Sequence, residues 1–171
     1  LTVFSKSKYL SAISNSLIVT FVSSIIASVF AIPLAWLIAR YNFKFRNGII
    51  ILVTMASVSP PFLGAYAWRL MLGSSGLITN FFGFDFSIMG MHGVIWVIIW
   101  LIYPLIFLTS LDSFMGMDPT LTESAHSLGA SRVKAFLNIE IPLAMPGIIT
   151  GLYLAGITAF SDFGTPMIIT L

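Results

Sequence analysis

Few residue types in this 171-residue chain could carry out catalysis or hold a metal ion. The chain has no Cys, and its two histidines, His92 and His126, fall in different regions, so no shared metal site is expected. No G-x-x-x-x-G-K-[ST] phosphate loop is present, which predicts that any ATP used is bound by another protein. The Met89–Gly93 run "MGMHG" is interpreted as an interfacial helix start rather than a soft-metal site. We therefore expect no catalytic residue, metal or bound cofactor in this chain.

Small polar residues do recur at a spacing that suggests a pathway. Ser16, Thr20, Ser24 and Ser28 repeat every four residues and share one face of a helix. Asp162 lies near the end of a second apolar run, and acids at membrane depth often mark a route for a substrate or ion. Two readings stay open: the stripe either packs helices together or lines a polar path, and Asp162 is either a pathway residue or an interfacial residue in water.

The composition indicates the class of protein whose helices position these groups. Hydrophobic residues make up 58% of the chain and charged residues 8%, with a mean hydropathy of +1.02. Soluble domains carry about 25% charged residues. The net charge of +2 and the lack of a dense basic cluster also argue against binding to nucleic acid. The sequence predicts an all-α integral membrane protein.

Four apolar stretches are each long enough for one membrane span. They are predicted over residues 17–38, 49–72, 91–111 and 143–163, within a single incomplete transmembrane domain. Basic residues between the first two spans (Arg40, Lys44, Arg46) and between the last two (Arg132, Lys134) predict that both connections are cytoplasmic. The loop of residues 73–90 carries Asp85 and no basic residue, and it is expected outside.

The cytoplasmic loop of residues 112–142 has the pattern of two short helices. Asp118 and Pro119 form an N-cap and first-turn pair, with Thr120 and Glu123 as an alternative capping box. An apolar stripe at Leu121, Ala125 and Leu128 is followed by Gly129 at a left-handed C-cap. Ser131 is predicted to cap a second short helix that stops before Pro142.

This loop, "ESAHSLGASRVKAFLNIEIP", resembles the cytoplasmic signature of binding-protein-dependent ABC importer permeases. That signature reads E-A-A, three residues, Gly, nine residues, Ile-x-Leu-Pro; Ser124 replaces its second residue and Ile141 its Leu. The resemblance implies the type I permease fold and a coupling helix that docks on an ATPase. The alternative is a helix lying on the membrane, but the acids at its start and its small residues disfavour that reading. The coupling residues that the resemblance implies are Glu123, Ser124, Ala125, Leu128, Gly129, Ala130, Ile139 and Pro142.

Three further segments resemble iron(III)-type permeases of this class: "IPLAWLIARYNF", "PPFLGAYAWRLMLGSSG" and "FSDFGTPMI". The resemblance implies an ATP-driven importer permease of the bacterial inner membrane that moves iron(III). Polyamine, thiamine, phosphonate or oxyanion permeases share much of the pattern, and an ion-gradient-driven carrier or channel is a further alternative.

The same resemblance implies the partners. They are a cytoplasmic ATPase dimer that binds the ATP, a second permease half in the same longer chain or another subunit, an extracytoplasmic binding protein, and membrane lipid. A fifth span of the family core is expected to follow Leu171.

Overall fold

The computed structural model describes residues 7–58, 60–83 and 87–170, and these residues form helices without any strand. Asp85, which was used to predict that the loop of residues 73–90 is outside, is not among the described residues. The α-helices are α1 (Ser7–Arg40), α2 (Arg46–Val58), α3 (Pro61–Leu72), α4 (Leu77–Phe82), α5 (Met91–Met115), α6 (Pro119–Ser127), α7 (Arg132–Ala135), α8 (Ile141–Ser161) and α9 (Gly164–Thr170). A π-helix, Phe136–Glu140, joins α7 to α8.

The core is a bundle of α1, α5 and α8, in which α5 packs most extensively against the other two. Small residues provide the close contacts. Ala27, Ala31 and Ala35 of α1 are fully buried. On α8, a Cβ added to Gly151 would lie 2.1 Å from Thr109 Oγ1 and 3.1 Å from Ile106 Cα, both on α5. Van der Waals packing of this kind drives association of helices in lipid, where tails are as apolar as the side chains.

Three helices are long and apolar enough to cross a membrane: Tyr9–Arg40, Met91–Met115 and Arg132–Ser161. They include most of three predicted spans. The prediction of a single helix over residues 49–72 was wrong, because α2 and the segment Pro61–Phe81 are bent by 103°. Pro61 stands in the first turn of α3, where its missing N–H is tolerated.

The predicted stop before Pro142 was also wrong. The helix that Ser131 caps continues from Arg132 through the π-helix and α8 to Ser161. Pro142 lies in the first turn of α8. The π-turn before it is closed by Ile141 N–H, which donates to Phe136 O, five residues back. The loop that follows α6 is therefore joined to a spanning helix without a flexible connection.

The two connections predicted to be cytoplasmic meet at one end of the bundle. Arg40 Nη2 lies 3.6 Å from Met117 Sδ, and Arg46 Nη2 lies 3.9 Å from Met115 Sδ. We call this the Arg40 end. At the opposite end, Arg69 Nη1 donates to Ile168 O at 2.8 Å and ties α3 to α9.

Candidate coupling segment and polar pathway

The start of α6 is held by its predicted cap. Asp118 Oδ1 accepts from Thr120 N–H at 2.9 Å, and Pro119 occupies the first turn. The backbone hydrogen bond from Thr120 lowers the pKa of Asp118 below its ordinary value, because it stabilises the charged carboxylate. The N-cap at Asp118 is confirmed, and it fixes where the helix begins.

The turn that ends α6 is fixed by its backbone. Gly129 has φ of +85°, a left-handed conformation that residues with a Cβ adopt only at a cost. Ala130 N–H donates to Ala125 O at 3.0 Å, and His126 Nδ1 contacts Ala130 O at 2.9 Å. Ser131 Oγ then accepts from Lys134 N–H at 3.3 Å. The predicted cap glycine and the second N-cap are both confirmed.

The apolar stripe of α6 is covered only in part. Ala125 is buried, but Leu121 is 48% exposed and Leu128 is 90% exposed. Glu123 and Ser124 are exposed beside them. Among the described residues nothing packs over this surface, so α6 offers two leucines and an acid to whatever lies beyond the Arg40 end.

The structure separates the other predicted coupling residues from that surface. Ile139 lies in the π-helix and is partly buried, whereas Pro142 is exposed at the start of α8. Gly129 and Ala130 shape the turn between α6 and α7. The signature therefore covers one exposed helix, the turn that follows it and the π-helix that leads into α8, rather than a single continuous surface.

A buried polar cluster at the Arg40 end was not predicted from the sequence. Arg40 Nε lies 2.8 Å from Glu140 Oε1, and Thr122 Oγ1 donates to the same oxygen at 3.1 Å. The indole N–H of Trp36 donates to Glu140 Oε2. Glu140 is only 2% exposed, so its charge depends on these partners. The one signal in the sequence was that Arg40 and Glu140 have opposite charges and flank predicted spans.

The four residues of the predicted polar stripe have different surroundings. Ser16 is exposed, while Thr20, Ser24 and Ser28 are partly buried. Ser28 Oγ donates to Ser24 O of its own helix at 2.6 Å. Among the described residues, the buried hydroxyls of Thr20 and Ser24 have no hydrogen-bond partner. A pathway role for the stripe stays a prediction.

Asp162 lies between α8 and α9, at the end opposite Arg40. Its Oδ1 accepts from Gly164 N–H at 3.1 Å and from Thr165 N–H at 3.4 Å, whereas the buried Oδ2 has no partner among the described residues. Asp162 lines a cavity of about 270 Å³ together with Asn15 and Ser16 of α1. The structure thus brings Ser16 and Asp162 to one cavity, although α1 and α8 are far apart in sequence.

Comparison with known proteins places the chain in a family. Residues 31–171 match the family described as "Binding-protein-dependent transport system inner membrane component". The chain belongs to this family. It is accordingly a multi-pass inner-membrane component, and the family resemblance found in the coupling loop is confirmed.

Other members of the family match most of this chain at nearly equal identity. A probable molybdenum ABC transporter permease protein of Haloferax volcanii is 29% identical, over 94% of this chain and 59% of the relative. The spermidine/putrescine transport system permease protein PotB of Escherichia coli is 29% identical, over 91% of this chain and 59% of the relative. The ferric transport system permease protein FbpB of Actinobacillus pleuropneumoniae is also 29% identical, over 92% and 24%. The chain thus spans well under two thirds of these permeases.

A solved structure of the same fold is the crystal structure of a bacterial alginate ABC transporter in complex with an alginate pentasaccharide-bound periplasmic protein. The match has a TM-score of 0.75 and 21% identity, and it covers 99% of this chain and 66% of that chain. The likeness shows that the all-helical permease fold predicted from the sequence is correct.

Proposed function

We propose that this chain is part of the transmembrane permease of an ATP-driven importer, in which a separate ATPase subunit binds and hydrolyses the ATP. The observation that carries the proposal is the exposed, capped helix α6, with Leu128 90% exposed, at the Arg40 end of a chain of this family. Capping at Asp118 and the turn at Gly129 hold the helix rigid, so that a docked partner would move it as one body.

The route for that motion is the helix behind it. The turn at Gly129 leads into α7, which is continuous with α8 through the π-helix. A displacement of α6 would therefore reach α8, and with it the cavity that Asp162 lines about 30 Å away along the helix. Alternating access needs this kind of connection between the motor and the far gate.

The remaining partners of the importer are part of the same proposal. They are an ATPase dimer, a second permease half and an extracytoplasmic binding protein. The family description supports the binding protein, since its members belong to binding-protein-dependent systems. The polar stripe on α1, in which the hydroxyls of Thr20 and Ser24 have no partner among the described residues, supports a polar path that the second permease half completes.

Iron(III) is one substrate candidate among those named for relatives. The molybdenum, polyamine and ferric permeases are each 29% identical to this chain, so sequence similarity does not favour iron. Uptake of molybdate, spermidine and iron(III) by cells with and without the intact permease distinguishes the three classes. The substrate is the one whose uptake requires the permease.

Docking is tested by co-purification of the ATPase with the intact tagged permease. Leu128→Asp puts a charge on the exposed face of α6 and is expected to reduce recovery of the ATPase at least tenfold. Leu77→Asp is the matched control, because Leu77 is 76% exposed on α4 at the other end of the bundle. Equal recovery of the ATPase with both variants would show that α6 is not the docking helix.

A further inference from the structure

The buried cluster around Glu140 joins three elements that are distant in sequence. Arg40 and Trp36 belong to the last turns of α1, Thr122 to α6, and Glu140 to the π-helix. Aromatic packing surrounds the polar contacts, with the rings of Trp36 and Phe136 at a centroid distance of 4.8 Å. The end of α1 is therefore fixed to both helices of the loop.

The π-helix is what brings Glu140 into this position. Buried residues on this continuous helix follow at Ala135, Glu140, Ala144 and Ile148, with one spacing of five and then two of four. In a regular α-helix, five residues turn through about 500°, which would leave positions 135 and 140 about 140° apart. The wider π-turn keeps Glu140 on the buried face that α7 and α8 share.

The chemistry of the cluster suits a rigid joint. A carboxylate that is 2% exposed needs its charge compensated, and the guanidinium of Arg40 does so at 2.8 Å. The indole N–H and the Thr122 hydroxyl occupy further acceptor positions. Hydrogen bonds to an ionised group are stronger than neutral ones, so the indole and the hydroxyl are held in place beside the ion pair.

We propose that Glu140 is a positioning residue for energy coupling, which locks α6 and the π-helix to the end of α1 so that a displacement of α6 moves α1 and α8 together. This proposal rests on the proposed function for the motion that it transmits. Glu140 itself is buried and does not form part of the exposed α6 surface, so its role differs from docking.

The joint is tested first in the permease alone, without an ATPase. These 171 residues contain no Cys, so Leu37→Cys on α1 and Ser127→Cys on α6, in a full-length permease from which any other Cys has been removed, give two unique sites for spin labels, both exposed. The distance distribution between the labels is expected to be narrow in the wild-type background. We expect Glu140→Gln, which keeps the shape and removes the charge, to at least double its width. An unchanged width would show that Glu140 does not hold α6 to the end of α1.

The second measurement is coupling in the complete importer. Glu140→Gln is expected to retain ATPase co-purification and ATP hydrolysis while substrate uptake falls at least tenfold. Asp112→Asn, the same acid-to-amide change at an exposed position near the end of α5, is the matched control and is expected to leave both at wild-type levels. Wild-type uptake in Glu140→Gln overturns the coupling role, whereas a wild-type permease that captures no ATPase overturns the proposed function instead.

Two more variants keep the test decisive if Glu140→Gln folds poorly. Thr122→Val removes only the contact from α6 and leaves the ion pair, so a smaller broadening of the label distance is expected. Arg40→Gln is expected to broaden the label distance at least as much as Glu140→Gln, because it leaves the buried carboxylate without its countercharge, and the double variant to be no worse than Arg40→Gln, because both changes break the same interaction. Additive losses of uptake in the double variant would contradict a joint made by this pair.

Discussion

At the Arg40 end of the bundle, the buried carboxylate of Glu140 contacts a guanidinium, an indole N–H and a hydroxyl. At the opposite end, Oδ2 of Asp162 and the hydroxyl of Thr165 are buried without a partner among the described residues. The same holds for Thr20, about 30 Å along α1 from Arg40. The buried carboxylate at the Arg40 end is thus compensated within the chain, although Nε of Arg40 and Nε of Arg46 make no hydrogen bond among the described residues, whereas Oδ2 of Asp162 has no partner there.

The difference separates two physical roles. A buried carboxylate that has a countercharge and two hydrogen-bond donors holds its elements in one arrangement. Buried polar groups without partners are unfavourable, so water or groups from outside the described residues must complete the opposite end. We therefore expect substitutions at the Arg40 end to lower the free energy of unfolding, and substitutions at the Asp162 end to lower substrate uptake.

The largest expected effect is loss of one member of the ion pair. Arg40→Met leaves Glu140 buried without a countercharge, which is expected to lower the free energy of unfolding by about 3–5 kcal/mol. The double variant Arg40→Met/Glu140→Leu replaces both charges with apolar groups and is expected to recover most of that loss. Thermal unfolding of the intact protein in detergent measures both. A double variant as unstable as the single one would contradict the explanation by an uncompensated charge.

A smaller effect is expected from removing the cap at Asp162. Asp162→Ala deletes the acceptor of the Gly164 and Thr165 N–H groups and is expected to cost about 1 kcal/mol, seen as faster amide exchange in α9. Asp162→Asn keeps an oxygen at that position and is expected to exchange like the wild type. If Asp162→Asn nevertheless lowers uptake, the unpartnered Oδ2 has a role in the pathway; if both variants leave uptake unchanged, Asp162 is a cap alone.

A change in stability below about 0.5 kcal/mol is expected for Thr20→Val, because this hydroxyl has no protein partner to lose among the described residues. Uptake is expected to fall several-fold if the stripe lines a path. Thr158→Val is the control, since its hydroxyl bonds to Leu154 O of its own helix. Wild-type uptake in Thr20→Val would assign the stripe to packing.

The smallest effect concerns pH and the cap of α6. The pKa of Asp118 is lowered in the folded protein, so its carboxylate contributes stability above its ordinary pKa of 3.8, and that contribution is lost as the pH falls through the lowered value. The protection of amides at the start of α6, relative to exchange of the unfolded chain at the same pH, is expected to fall over that acidic range. Asp118→Asn still accepts the Thr120 hydrogen bond but does not titrate, and it should abolish this pH dependence.

Features of the fold with local causes could be predicted. Hydropathy over about 20 residues marks a span, and this identified the three long helices. Caps depend on a few neighbouring residues, and Asp118, Gly129 and Ser131 were all identified correctly. The bend within residues 49–72 was only suggested by Pro60 and Pro61, because a proline is compatible with a kink, a break or a helix start.

In the candidate site, too, features with local causes could be predicted and contacts between distant residues could not. The sequence placed Leu128 in an apolar stripe, but it predicted neither the 90% exposure of Leu128 nor that Ala125 alone of the stripe would be buried. It indicated Asp162 and Ser16 separately, and the antiparallel packing of α1 and α8 brought them to one cavity. Glu140 had no local signal, since an acid in a polar loop is expected to be solvated.

By itself, the sequence determined that this chain is a helical membrane protein of a known permease family, with a capped helix between its spans. The helical spans and the capped helix follow from hydropathy, periodicity and capping, which act within a few turns of one helix, whereas the family was indicated by the resemblance of the loop motif. Only the tertiary structure decided that Glu140 meets Arg40, one hundred residues earlier, and that a π-turn carries the loop helix into α8. Both depend on which helix faces pack together. The free energy of burying a charge can be evaluated only when its partner across the bundle is known.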